Sequence, residues 1–142
     1  MSTEPLRVLI VDDEAPARAR LKALLADIAT ELPNELVGEA ANGIEALERL
    51  EASPADVALV DIRMPKMDGI ELARHLAGAE NAPAVVFTTA YDQYAVQAFE
   101  LNAIDYLVKP VRAQRLAAAL EKARRVAPPA REALAGLAPE AR

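Results

Sequence analysis

Apolar runs and helical patterns alternate regularly along this chain. Short, nearly continuous apolar runs are each followed by a segment with apolar residues at spacings of three and four, which is typical of one helix face. The predicted strands are Leu6–Val11, Leu36–Ala40, Val57–Val60, Ala84–Thr89 and Ile104–Lys109. The predicted helices run from Ala15 to about Leu32, Ile44 to near Ser53, Ile70 to Gly78, Tyr91 to Leu101, and Leu116 to Ala127.

Strands that are apolar on both faces need cover on both sides, so this order predicts an α/β fold with a parallel sheet between two layers of helices. The connections are short and should be right-handed. Only 4% of the residues are aromatic, so Leu, Val, Ile and Ala must fill the core. Beyond Pro129 the chain has too few large apolar residues for another core, and residues 128–142 are predicted to be a linker or tail.

Polar side chains stand where four of the predicted strands end. They are Asp12 and Asp13 after the first strand, Asp61 after the third, Thr88 or Thr89 on the fourth, and Lys109 on the fifth. Parallel strands align their carboxyl ends along one edge, where open α/β sheets bind their ligands. We therefore expect these side chains to converge.

Carboxylates crowded together repel one another, and a hard divalent ion relieves that repulsion. No His-rich or Cys-rich spacing favours zinc, so the pattern predicts an Mg²⁺ pocket with Lys109 as a fixed second positive charge. Such a pocket suits a phosphoryl group. Asp61 could be the nucleophile, because carboxylates form acyl phosphates.

Several functions are excluded or disfavoured by what the sequence contains. The segment Asp12–Pro16 follows the first strand, at the position where a glycine-rich phosphate loop would lie. This excludes a Walker A nucleotide site and a dinucleotide site. The phosphoryl donor should therefore come from outside the chain. The net charge of −6 argues against nucleic-acid binding by general attraction. The chain has no cysteine, signal-peptide pattern or apolar run of membrane length, and we expect a cytoplasmic protein that contacts no membrane.

Four motifs, in order, resemble the receiver domain of two-component response regulators over roughly residues 6–126. They are Val11-Asp12-Asp13-Glu14, Asp61-Ile-Arg-Met-Pro-Lys-Met-Asp-Gly69, Thr89-Ala90 and Tyr106-Leu-Val-Lys109-Pro110. The resemblance implies a flavodoxin-like (βα)5 fold with strand order 2-1-3-4-5 and a receiver domain at residues 1–127. It also implies a signalling domain that accepts a phosphoryl group, and not an enzyme.

The resemblance further assigns the site residues. Asp61 would be the phosphoacceptor, charged by a phosphohistidine on a partner sensor histidine kinase. Asp13 and Asp61 would hold Mg²⁺ together with the backbone carbonyl of Arg63, and Asp12 would help directly or through water. Lys109 would bind the phosphoryl group, and a cis peptide bond would precede the proline that follows it.

Two further residues would carry the signal to the surface. The resemblance implies that Thr89 moves towards the phosphoryl group and that Tyr106 changes rotamer. The face made by the fourth helix, fifth strand and fifth helix would then rearrange and form a homodimer. Of the adjoining threonines only one can face the pocket, because side chains alternate along a strand, and Thr89 is favoured since the small Ala90 follows it.

The segment Phe87–Phe99, with Asp105–Leu107, is most similar to regulators of the LytR/AlgR type. Those regulators carry a DNA-binding LytTR domain after the receiver, so this chain would reach DNA only through a domain that it does not contain. It would be either the receiver part of a longer transcription regulator or a stand-alone receiver. A stand-alone receiver would act through protein contacts or as a phosphorelay shuttle.

Two other classes compete with this interpretation. A Mg²⁺-dependent phosphatase with an aspartate nucleophile needs two aspartates separated by one residue, whereas Asp12 and Asp13 adjoin here. A receiver-like module that is never phosphorylated need not keep the full set of acidic, hydroxyl and lysine side chains. Arg63 and Tyr91 are expected to flank the path of water to a phosphorylated Asp61, and His75 is expected on the surface.

Overall fold

A computed structural model of the chain describes residues 4–126. The strands are β1 (Leu6–Val11), β2 (Asn34–Ala40), β3 (Val57–Val60), β4 (Ala84–Thr89) and β5 (Asp105–Val108). The helices are α1 (Ala15–Asp27), α2 (Gly43–Ala52), α3 (Gly69–Ala77), α4 (Ala95–Glu100) and α5 (Ala113–Val126). The linker predicted at residues 128–142 lies outside the described residues.

The strands form one parallel sheet in the order β2-β1-β3-β4-β5. The α/β class and the strand order are thereby confirmed. Val11 of β1 lies opposite Val60 of β3, and Val60 lies opposite Phe87 of β4. Strands β1 and β3 therefore end side by side, and the residue after each one enters the same edge.

Each face of the sheet is covered by its own apolar cluster. One cluster joins the sheet to α1 and α5 through residues such as Leu24, Leu25 and Leu120. The other joins it to α2, α3 and α4 through residues such as Leu72 and Ala98. Within residues 4–126, no helix has the length and apolarity that crossing a bilayer requires.

Helix α1 is shorter than its apolar spacing predicts, since it ends at Asp27. Ile28 and Leu32 are nevertheless buried, because the turns that follow keep them against the core. The amide of Leu32 still donates to the carbonyl of Ile28, at 2.8 Å. Periodicity identified the buried face correctly and overestimated the length of the helix.

The prediction for α4 was wrong in two respects. The helix covers Ala95–Glu100 and not the whole segment from Tyr91. The carbonyl of Tyr91 and the amide of Tyr94 are hydrogen-bonded to the hydroxyl of Tyr106, which lies 15 and 12 residues further along the chain. A helix over the predicted segment would turn Phe99 and Ala95 inward, but both residues are exposed, and Phe99 is 82% exposed.

Candidate functional site

Two aspartates lie side by side at the carboxyl edge of the sheet. The amide of Asp61 donates to the carbonyl of Val11 at 2.8 Å, and the amide of Asp12 donates to the carbonyl of Ala40 at 2.9 Å. These ladder bonds fix both residues just beyond the ends of β3 and β1. Asp12 is fully buried and Asp61 is only 7% exposed. The convergence that the strand ends predict is therefore present for these two residues.

Asp13 completes a group of three carboxylates. Single oxygen atoms of Asp12, Asp13 and Asp61 all lie within 4.8 Å of one another, and Asp13 is exposed while the other two are buried. Three carboxylates, one of them open to solvent, fit Mg²⁺, which takes few protein oxygens and keeps several waters. The same set lacks the nitrogen and sulfur ligands that zinc prefers.

Lys109 supplies the positive charge of the site. Its Nζ lies 2.8 Å from Asp12 Oδ2 and 3.4 Å from Asp61 Oδ2. The peptide bond between Lys109 and Pro110 is cis, as the resemblance implied. Burial alone would lower the pKa of Lys109, but its hydrogen bond to Asp12 and the charge of Asp61 outweigh burial and raise it. The lysine is therefore a permanent cation beside the two carboxylates.

The ionisation of Asp61 is opposed by its surroundings. Burial raises the pKa of Asp61, the attraction of Lys109 lowers it, and the charge of Asp12 raises it again, with a net increase. A carboxyl group with a raised pKa binds its proton more tightly in the folded chain than in the unfolded chain. Its ionisation therefore removes stability as the pH rises through that raised pKa.

A first prediction concerns the stability of the metal-free protein. Asp61→Asn should raise the midpoint of thermal unfolding at neutral pH, because it removes a buried charge that the fold opposes. The gain should disappear below the ordinary carboxyl pKa of about 3.9, where wild-type Asp61 is protonated as well. Melting curves over a pH series without Mg²⁺ measure this. An equal difference at all pH values would mean that the charge of Asp61 is not the cause.

The loop after β3 folds back so that Gly69 packs closely against the backbone of Asp61. At its end, Asp68 and Glu71 form a capping box that starts α3, with hydrogen bonds of 2.8 and 3.0 Å. The amide of Gly69 donates to the carbonyl of Ile62 at 2.8 Å. A Cβ on Gly69 would collide with the carbonyl oxygen of Asp61 and lie 2.9 Å from the Cα of Ile62. The sequence motif ends on Gly69 but does not indicate this close approach to Asp61.

The adjoining threonines of β4 are both fully buried. Thr89 Oγ1 accepts a hydrogen bond from the amide of Tyr91 at 3.3 Å, and within residues 4–126 it makes none to Asp61 or Lys109. Thr88 Oγ1 has no hydrogen-bond partner there. The preference for Thr89 as the residue that responds to phosphorylation stays a prediction, as does the role of the Arg63 carbonyl.

A set of aromatic contacts connects this edge with α4. The guanidinium carbon of Arg63 lies 4.8 Å from the ring centre of Tyr91. The hydroxyl of Tyr106 donates to the carbonyl of Tyr91 and accepts from the amide of Tyr94, the latter at 3.3 Å. The ring of Tyr106 packs edge-on to Phe87, with centroids 6.3 Å apart. These contacts connect Tyr106 with the segment before α4.

Beyond that segment lies an exposed apolar surface. Val96 and Phe99 of α4 are 69% and 82% exposed, and Val108 of β5 is 46% exposed. We call these three residues the α4–β5 patch. His75, by contrast, is an exposed residue of α3, as predicted.

Comparison with known proteins identifies the family to which the chain belongs. Residues 8–121 match the family model described as the response regulator receiver domain. The chain is 47% identical over 120 residues to the positive alginate biosynthesis regulatory protein of Pseudomonas aeruginosa, covering 84% of this chain and 48% of that protein. It is 46% identical over 117 residues to the sensory transduction protein LytT of Bacillus cereus, covering 82% and 46%.

A solved structure shows the same fold. The response regulatory domain of protein mrkE from Klebsiella pneumoniae superposes with a TM-score of 0.75 at 36% identity, covering 84% of this chain and 96% of that one. The chain spans about half the length of the curated relatives it matches.

The chain belongs to the response regulator receiver domain family. Within it, the likeness to regulators of the LytR/AlgR type that the sequence motifs implied is confirmed. It is the receiver domain of a two-component response regulator.

Proposed function

We propose that this domain is a phosphoacceptor switch in which Asp61 takes a phosphoryl group from a histidine of a sensor kinase in the cytoplasm. One observation carries the proposal. Asp61 is nearly buried between two other carboxylates and the ammonium group of Lys109, whose Nζ lies 3.4 Å from Asp61 Oδ2. A nucleophile, a site for a divalent cation and a fixed cation are what phosphoryl transfer requires.

In the transfer, an oxygen of Asp61 forms a bond to phosphorus while the bond between phosphorus and the imidazole nitrogen of the donor breaks. The electron pair of the broken bond stays with the imidazole, and an acyl phosphate remains on Asp61. Asp12, Asp13, Asp61 and the carbonyl of Arg63 would hold Mg²⁺. Bound there, Mg²⁺ would neutralise charge on the phosphoryl oxygens. Lys109 would pair with one phosphoryl oxygen and Thr89 would donate to another.

The response would travel through residues already in contact. The hydroxyl of Thr89 accepts a hydrogen bond from the amide of Tyr91, and the carbonyl of Tyr91 accepts one from the hydroxyl of Tyr106. When Thr89 turns to the phosphoryl group, this arrangement loosens and Tyr106 can change rotamer. The α4–β5 patch then becomes part of a dimer surface with α5. Control of transcription would follow through a LytTR DNA-binding domain outside this chain, in keeping with relatives of about twice its length.

A second prediction tests the role of Lys109. Lys109→Ala should still bind Mg²⁺, because the three carboxylates remain, but phosphorylation should no longer produce dimers. Titration calorimetry measures the metal, and light scattering after treatment with beryllofluoride, a mimic of the phosphoryl group, measures the dimer.

Lys22→Ala is the matched control, since Lys22 pairs with Glu39 at 3.0 Å and with none of the three carboxylates of the site among the described residues. It should dimerise like the wild type. Dimerisation of Lys109→Ala to the wild-type extent would show that Lys109 does not couple the site to the surface.

A third prediction concerns the lifetime of the phosphorylated state. Arg63→Gln removes the cation from the ring of Tyr91 and should open the path of water to the acyl phosphate. An exposed contact of this kind contributes about 0.5–1 kcal/mol, so the half-life should fall by about two- to fivefold. Loss of the acyl phosphate over time, followed by intact mass, measures this. Arg74→Gln, in α3, is a control that should leave the half-life unchanged.

A further inference from the structure

The backbone that carries Asp13 is held on both sides of that residue. Asp13 lies between the end of β1 and the start of α1, and its exposed side chain makes no hydrogen bond or ion pair within residues 4–126. After it, the amide of Glu14 donates to Asp12 Oδ1 at 2.9 Å. Before it, the carbonyl of Asp12 accepts from Arg18 Nη1 at 2.8 Å. The position of the Asp13 carboxylate therefore depends on these two bonds.

Arg18 reaches the carbonyl of Asp12 because of its place on α1. It lies in the first turn of the helix, where its amide donates to the carbonyl of Glu14 at 3.1 Å. Helix side chains lean towards the amino end of the helix, so the guanidinium group of Arg18 returns to the loop before α1. The N-cap residue, Glu14, makes no side-chain capping bond. Arg18 therefore supplies a link between the helix and the loop that a capping side chain would otherwise make.

Strand β2 holds the other side of the same guanidinium group. Arg18 Nε donates to Glu39 Oε1 at 3.0 Å, and Lys22 Nζ donates to Glu39 Oε2 at 3.0 Å. The hydrogen bond from Lys22 lowers the pKa of Glu39, burial raises it, and the hydrogen bond from Arg18 lowers it again, with a net decrease. Glu39 is therefore an anion at neutral pH. Its charge-assisted bond to the rigid, planar guanidinium orients the remaining donors towards Asp12.

We propose that Arg18 is a positioning residue for the metal site. By holding the carbonyl of Asp12, it fixes the direction in which Asp13 presents its carboxylate to Mg²⁺, so the inference rests on the proposed Mg²⁺ site of Asp12, Asp13 and Asp61. Mg²⁺ demands near-ideal octahedral geometry, and a ligand that moves lowers its affinity. Groups that orient metal ligands from behind typically change metal affinity by about 10–100-fold.

The charge of Arg18 by itself predicts the opposite result. A guanidinium group near a divalent cation repels it, so removing that charge should strengthen the binding of every divalent ion. Positioning predicts that removal of Arg18 weakens binding, and weakens Mg²⁺ more than Ca²⁺, because Ca²⁺ accepts irregular geometry. A general loss of stability would weaken both ions alike.

The test compares Arg18→Met with the wild-type chain by titration calorimetry with Mg²⁺ and with Ca²⁺. The affinity for Mg²⁺ should fall about tenfold, and the affinity for Ca²⁺ should fall by no more than about threefold. Amide relaxation measured by NMR without any metal should show that the backbone at Asp13 is more mobile in the variant than in the wild type.

Arg49→Met is the matched control, because Arg49 also donates to a backbone carbonyl, that of Glu39, at 3.0 Å and carries the same charge. It should bind Mg²⁺ like the wild type and leave the mobility of Asp13 unchanged. Equal or tighter Mg²⁺ binding by Arg18→Met, an equal loss for both ions, or unchanged mobility at Asp13 would overturn the inference alone. Failure of the wild type to bind Mg²⁺ would overturn the proposed metal site, and the inference with it.

Discussion

Asp61→Asn is expected to lose phosphorylation completely while keeping its fold. Asparagine is nearly isosteric with aspartate, so the ladder bond from residue 61 to Val11 and the packing around it remain. The amide cannot form the acyl phosphate that a carboxylate forms. After incubation with Mg²⁺ and a small-molecule acyl phosphate, the intact mass of the variant should be unchanged, and its circular dichroism should match the wild type.

Asp68→Asn is the control for that substitution. Asp68 lies in the same loop, but its side chain caps α3 by accepting from the amide of Glu71, and asparagine caps equally well. This variant should be phosphorylated as the wild type is. A phosphoryl group retained on Asp61→Asn would identify a different nucleophile.

Gly69→Ala should destabilise the fold and slow phosphorylation. The new Cβ would meet the carbonyl oxygen of Asp61 and the Cα of Ile62, both backbone atoms that cannot rotate away. Overpacking of this kind costs about 2–3 kcal/mol of unfolding free energy, measured by denaturant titration. Because the clash falls on the phosphoacceptor itself, phosphorylation should slow by about a hundredfold, as for a displacement near 1 Å.

Gly78→Ala distinguishes the contact from the general effect of replacing glycine. Gly78 ends α3, has a negative φ, and a Cβ there would meet nothing within 4 Å. It should be neutral or slightly stabilising. If the two variants were equally stable and equally phosphorylated, the close approach of Gly69 to Asp61 would affect neither stability nor phosphorylation.

The sequence predicted the sheet well because its strands are marked locally. Strands β1, β3 and β4 are apolar runs ended by turn chemistry, and the edge where Asp12, Asp61 and Lys109 meet follows from parallel topology. The ion pair of Lys109 with Asp12 could not be predicted in detail, since the two residues are 97 positions apart and their distance depends on packing.

The errors arose where distant residues decide local structure. Helix α4 begins late because the Tyr106 hydroxyl takes backbone groups of the preceding segment. The exposure of Phe99 was missed because periodicity identifies an apolar face and not whether this chain covers it. The sequence does not indicate that a side chain at position 69 would collide with the backbone of Asp61, because the Asp-Gly pair by itself indicates only a turn.

The most direct test of the phosphoacceptor function is the intact mass of the wild-type chain after incubation with a small-molecule acyl phosphate, with and without Mg²⁺. We expect a gain of one phosphoryl group that requires Mg²⁺ and that peptide mapping places on Asp61. No gain in the presence of bound Mg²⁺, together with failure to bind beryllofluoride, would contradict the proposed function.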